Sequence, residues 1–263
     1  MQDLWRPFDP GSEARVALDL RAGWVRRWSA SWRVAGQEVV VPVRDLASGP
    51  LAVCEPVRRF GWHPRQRHRP GLQFMVSTGQ HHGFESLAEQ RLLLVLDFAG
   101  AARVVSQPFR LRFVTSEGRR DHTPDFVGVL RDGSTWLVDV RPLDRVDEQA
   151  RVCFAATAEV ALAAGWRYAV VTGWRRQVLA TLDALSAQRR PLTDRLGVQV
   201  ELMGAAAAGR CAFGALVAAT SLPAVARAHA LHLLWRRRLG IDLAAPLNDG
   251  SLVWPASALA GQR

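Results

Sequence analysis

From Ser86 onward, the apolar and polar positions fall into regular periods. Leu87, Leu92, Leu93 and Leu96 recur at helical spacing and predict a helix over 87–98. Ser86 stands at its N-cap with Glu89 three residues later, a capping box, and Gly100 ends it. Arg103–Ser106 and Phe109–Thr115 alternate like strands joined at Gln107-Pro108, and Asp125–Leu130 and Thr135–Arg141 read as a hairpin. Helices follow over 145–164 and 175–187, with a strand over 166–172 between them. This order predicts an α/β chain with a mixed sheet flanked by helices.

The flanks are patterned differently. Before residue 83 only Trp32–Pro42 reads clearly, as a hairpin around Gly36, and Arg58–Gly71 is a basic loop too rich in Pro, Gly and charge for a regular element. After Arg189-Arg190-Pro191, helices are expected over 205–220 and 223–239, with Pro223 in a first turn. Short strands are expected over 241–243 and 251–253. Helix, helix and small hairpin is winged-helix order. The expected organisation is an N-terminal extension over 1–82, a main domain over 83–190 and a small C-terminal domain over 191–263.

Composition narrows the function classes. Half of the 263 residues are apolar (49%), enough for a sizeable core. The longest apolar runs fall short of a membrane span, and Met1–Arg6 has no basic-then-apolar leader, so a cytoplasmic protein without membrane contact is expected. The net charge is +10 and every basic residue counted is arginine, with no lysine anywhere. That excess favours a polyanionic partner. Cys54, Cys153 and Cys211 form neither a disulfide framework nor a zinc pattern. The chain has no Gly-rich phosphate loop, so no nucleotide cofactor is implied, and no serine-hydrolase elbow.

The candidate chemistry is acidic. Asp125 and Asp139 lie on the central hairpin, with Arg141 two residues beyond Asp139 on the same face. A two-residue turn at Asp132-Gly133 would set Asp125 opposite Val140, on the wrong face. A three-residue loop over 132–134 would set it opposite Arg141 and bring all three together. Carboxylates converging at strand ends bind Mg²⁺ or Mn²⁺ through hard oxygen ligands. Glu89 is the third candidate acid, with Glu85 its rival four residues earlier on the same helical face. Arg58, Arg59, Arg65, Arg67 and Arg69, with Phe60 and Trp62 among them, are candidate DNA contacts. His122, just before Pro124-Asp125, reads as a strand cap or as a phosphate contact.

Helix Glu, then Pro-Asp, then (Asp/Glu)-x-Lys is the signature of restriction-endonuclease-like nucleases. The fuller run Phe84–Glu89, Ser106–Phe109, His122–Phe126 and Leu137–Pro142 resembles the TnsA-like endonuclease subunit of heteromeric transposases over residues 83–173. The resemblance implies a restriction-endonuclease-like fold and Mg²⁺-dependent (or Mn²⁺-dependent) nicking of the 5′ ends of a transposon. The partner would be a DDE-type transposase that cuts and joins the 3′ ends. It implies Glu89, Asp125 and Asp139 as metal-associated catalytic acids and Arg141 where the family has lysine, while Gln107 reads either as a contact to the backbone near the site or as a residue that satisfies a strand end. Arginine is always protonated and cannot act as a general base, though it can orient water or stabilise phosphate charge. The alternatives are a standalone restriction or repair nuclease and a non-catalytic DNA-binding or assembly subunit.

Overall fold

Two tryptophans settle the place of the N-terminal residues. In the computed structural model, which describes residues 4–6, 8–58 and 70–256, two short helices, α1 (Ser12–Val16) and α2 (Trp24–Arg27), lead into β1 (Ser29–Val34). Trp28 and Trp32 are fully buried, their rings 5.6 Å from Phe113 and 4.8 Å from Phe109. Burying such rings outweighs any tendency of this segment to stay apart. β1 turns into β2 (Gln37–Pro42) through Ala35 and Gly36, both at positive φ, as a two-residue hairpin requires. Its other edge pairs with β6 (Phe109–Thr115), giving a first sheet of order β2-β1-β6-β7, with β7 at Gly118–His122. The strands β1 and β2 are therefore built into the main unit, where an extension was expected.

The second sheet has the order β10-β9-β8-β5, from β5 (Ala101–Ser106), β8 (Phe126–Leu130), β9 (Thr135–Val140) and β10 (Arg167–Val171). Its first three strands pair antiparallel, and β9 and β10 run parallel across the helix α4 (Glu148–Ala163). A hairpin of β3 (Gly71–Met75) and β4 (Gln80–Phe84) precedes α3 (Leu87–Ala99), which Gly100 closes at φ 75°. The chain changes sheets between β5 and β6, at Gln107, which is left-handed (φ 48°), and Pro108. Asp147 caps α4 by accepting the Ala150 N–H at 2.8 Å, so that helix starts three residues later than the pattern predicts.

The chain divides into two compact units, Met1–Gly173 and Trp174–Arg263. The break falls before α5 (Arg176–Ser186) rather than after residue 190, because α5 packs on α8 (Pro223–Trp235). Between them come α6 (Val198–Ala206), β11 (Cys211–Ala212) and α7 (Phe213–Ala218). β12 (Leu239–Ile241) and β13 (Leu252–Pro255) follow, in a sheet of order β11-β13-β12. The single helix expected over 205–220 is broken, with Gly209 at φ 122° between α6 and β11. The molecule is thus mixed α/β, with antiparallel and mixed sheets flanked by helices. Among the described residues no helix is long and apolar enough to cross a membrane.

Candidate active site

The first turn of α3 forms the capping box that its sequence spells. Ser86 Oγ accepts the Glu89 N–H at 3.2 Å and donates to Glu89 Oε1 at 2.8 Å, while Glu89 Oε2 accepts the Glu85 N–H at 2.8 Å. Both oxygens of Glu89 are therefore folded back on their own helix end, and burial raises its pKa above the ordinary glutamate value. Ser86→Ala removes a cap and is expected to lower unfolding free energy by about 1 kcal/mol, read from the urea midpoint. An unchanged midpoint would show that Glu89 holds the turn without it.

Asp125 and Asp139 meet through a register that neither turn model anticipates. The ladder runs Phe126↔Val138 to Val129↔Thr135, and the Leu130 N–H donates to Ser134 O at 2.9 Å. The loop is Arg131-Asp132-Gly133, three residues long but placed one residue earlier, with Gly133 at φ 82°. Extending the ladder by one residue puts Asp125 directly opposite Asp139, on the same face. The Val140 N–H donates to Asp125 Oδ2 at 2.7 Å, and the Gln107 N–H to the Asp125 carbonyl at 2.6 Å. Burial, then the charges of Asp139 and Glu89, push the Asp125 carboxyl well above the usual carboxylate range.

Asp139 is fully buried and both its oxygens are held. His122 Nε2 lies 2.9 Å from Oδ1, and the Tyr168 hydroxyl donates to Oδ2 at 2.6 Å. His122 ends β7 of the first sheet, and its ring meets Phe154 of α4 edge-on at 6.2 Å. Tyr168 lies diagonally across the β9–β10 ladder, where Val170 pairs with Asp139. Burial alone would lower the imidazole, but the charge and hydrogen bond of Asp139, with the Cys153 thiol beside it, hold its pKa up to about 10. Burial and Asp139 raise the Tyr168 phenol, so it stays a neutral donor. The sequence reading weighed His122 as a strand cap or phosphate contact and not as a partner of Asp139, and it missed Tyr168. The only signal was His122 standing three residues before Asp125.

These groups line an open cleft of about 1080 Å³ that includes Glu89, Asp125, Asp139 and His122. Its rim carries Arg58, Arg110, Arg141 and Arg145. Arg141 is exposed: its N–H continues the β9–β10 ladder to Val171 O at 3.0 Å, and its Nε donates to Arg145 O at 3.0 Å. The positive charge of His122 draws the Asp125 pKa down only against the larger effects of burial and the neighbouring acids. Gln107 does not line the cleft. It is buried, its carbonyl accepts the Val57 N–H at 3.0 Å, and it acts on the site through the backbone of Asp125. Of the arginines expected to meet DNA, Arg58 is exposed on the cleft, while Arg59, Arg65, Arg67 and Arg69 lie outside the described residues.

Among the described residues no three His, Cys, Asp or Glu side chains form a ready-made metal cluster. Glu89 is engaged in its cap and Asp139 by two donors. Oxygen capacity nonetheless remains, because each carboxylate oxygen has two lone pairs and no hydrogen bond among the described residues engages Asp125 Oδ1. No family model matches the chain, and no curated protein matches it.

Proposed function

We propose that the first unit is a divalent-metal-dependent phosphodiesterase that nicks DNA, working as the endonuclease subunit of a heteromeric transposase. The observation that carries this reading is the opposition of Asp125 and Asp139 across one ladder, inside an arginine-rimmed cleft. Among the described residues, six carboxylates line that cleft with four guanidiniums and the His122 imidazole. A cation bound beside Asp125 and Asp139 would offset their charge where a DNA phosphate enters. Asp125 and Asp139 have the hard oxygens that Mg²⁺ or Mn²⁺ prefers, and Glu89 would join them by leaving its cap. When bound, such an ion supplies a water of lowered pKa and offsets charge on the phosphate.

The chain's own groups do the rest. Arg58, Arg110 and Arg145 are placed to hold phosphates flanking the cut. Arg141 stays charged and orients phosphate or water without taking a proton. After α5 and α6, the strand–helix–helix–hairpin order of the second unit supports a winged-helix reading. Its α8 offers little for reading bases: Pro223, Ala224 and Val225 are exposed, and exposed Arg227 is ion-paired with Asp249. That surface supports docking of the partner transposase over sequence readout.

The test is nicking of transposon-end DNA with Mg²⁺ or Mn²⁺ and the cognate transposase present, comparing wild type, Glu89→Ala and Arg141→Lys. Wild type is expected to nick the 5′ ends, Glu89→Ala to lose at least a hundredfold in rate, and Arg141→Lys to stay active. Nicking that ignores the partner and the ends would point to a standalone nuclease. Nicking gained only in Arg141→Lys would mark the wild-type site as inactive. Silence from every version, while the transposase cuts its own strands, would leave an assembly subunit.

A further inference from the structure

We propose that His122 and Tyr168 are positioning residues, fixing the plane of the Asp139 carboxylate so that its free lone pairs face the cation shared with Asp125. This rests on the metal-dependent reading above and names the side chains that ready one of its ligands. Asp139 sits on the inner strand β9, and its two anchors arrive from different directions. His122 comes from the end of the first sheet at 2.9 Å, and Tyr168 comes from the parallel neighbour β10 at 2.6 Å. With one donor on each oxygen, the carboxylate cannot rotate without breaking a buried hydrogen bond.

Asp125 is oriented in the same manner, by the Val140 N–H on Oδ2. Asp139 is thus held on both oxygens and Asp125 on one, and among the described residues neither is ion-paired with an arginine. Holding both oxygens leaves a rigid acceptor whose remaining lone pairs are available to an ion. Outer partners that orient metal ligands commonly change metal affinity by about 10–100-fold when removed.

The experiment is Mn²⁺ binding by titration calorimetry to the full chain without DNA, well below the unfolding temperature of each variant. Wild type, Tyr168→Phe, His122→Ala, His122→Gln and the double variant Asp125→Ala/Asp139→Ala would be compared. Tyr168→Phe and His122→Ala are expected to raise the Kd about tenfold or more, and His122→Gln, which keeps a donor, to recover much of the loss. Tyr168→Phe changes one hydroxyl and serves if His122→Ala fails to fold. Wild-type affinity in both loss variants, even with lowered stability, would overturn the positioning role and leave the metal site standing. Equal binding by wild type and the double variant would overturn the metal site and the positioning role together.

Discussion

Asp125→Asn is expected to abolish nicking, by about a thousandfold or more, and at the same time to make the metal-free protein more stable. The two effects share one cause. The carboxyl of Asp125 is buried beside Asp139 and Glu89, and its pKa lies well above the ordinary value. The sign follows from linkage: a carboxyl raised in the fold favours folding while protonated. That contribution is lost as pH rises from the unfolded value, about 4, towards the folded one. At neutral pH the wild type therefore carries either a buried repelled charge or the cost of taking up a proton. Asparagine carries neither, and its carbonyl can still accept the Val140 N–H.

Denaturant unfolding in chelator should therefore show a gain of about 1 kcal/mol or more for Asp125→Asn at pH 7. Adding Mn²⁺ should reverse the order, since binding to the folded state adds about 2.7 kcal/mol at a hundredfold excess over Kd and the variant lacks a ligand. Lower stability of Asp125→Asn in chelator would overturn the picture of a strained acid pair. Retained nicking would overturn its catalytic role.

The second large effect lies in pH dependence. His122 is held up to about 10 in the fold, against about 6.5 when unfolded. Below 6.5 both states carry the proton and the stabilisation by Asp139 is fully present. Above it the unfolded chain releases the proton while the fold keeps it, so stability falls until pH passes about 10. The expected loss across that window is on the order of a few kcal/mol in metal-free buffer. Urea midpoints measured every half unit should fall more steeply for wild type than for His122→Gln. Parallel curves would show that the imidazole–carboxylate pair contributes no pH-linked stability.

Both predictions depend on contacts that the chain order hides to different degrees. The capping box was legible because it is local: Ser86 and Glu89 are one helical turn apart, and their reciprocal bonds need nothing from elsewhere. The acids Asp125 and Asp139 were legible as a hairpin pair, since alternation and a glycine turn predict strands. The register was not, because placing the loop at 131–133 or 132–134 changes few local interactions. The packing of β8 between β5 and β9 selects one of them, burying Phe126 and Val138 on one face and Val127 and Leu137 on the other.

Other parts required the assembled molecule. His122 and Tyr168 are 46 positions apart, so no short-range pattern could pair them on one carboxylate. The place of Trp28 and Trp32 was hidden because it rests on aromatic burial against Phe109 and Phe113, far along the chain. The unit boundary after Gly173 follows from α5 packing on α8, a contact that composition near residue 190 does not register.

The sequence by itself determined the local devices: the helix and its cap, the strands of the hairpin, the acid residue types, and the arginine where the resemblance expects lysine. These follow from backbone propensity and side-chain chemistry over a few residues. Only the tertiary structure decided which groups face one another: Asp125 opposite Asp139, His122 and Tyr168 behind it, and Arg141 turned toward the carbonyl of Arg145. Those choices depend on burial and strand pairing between distant segments, whose free energy exists only once the sheets have formed.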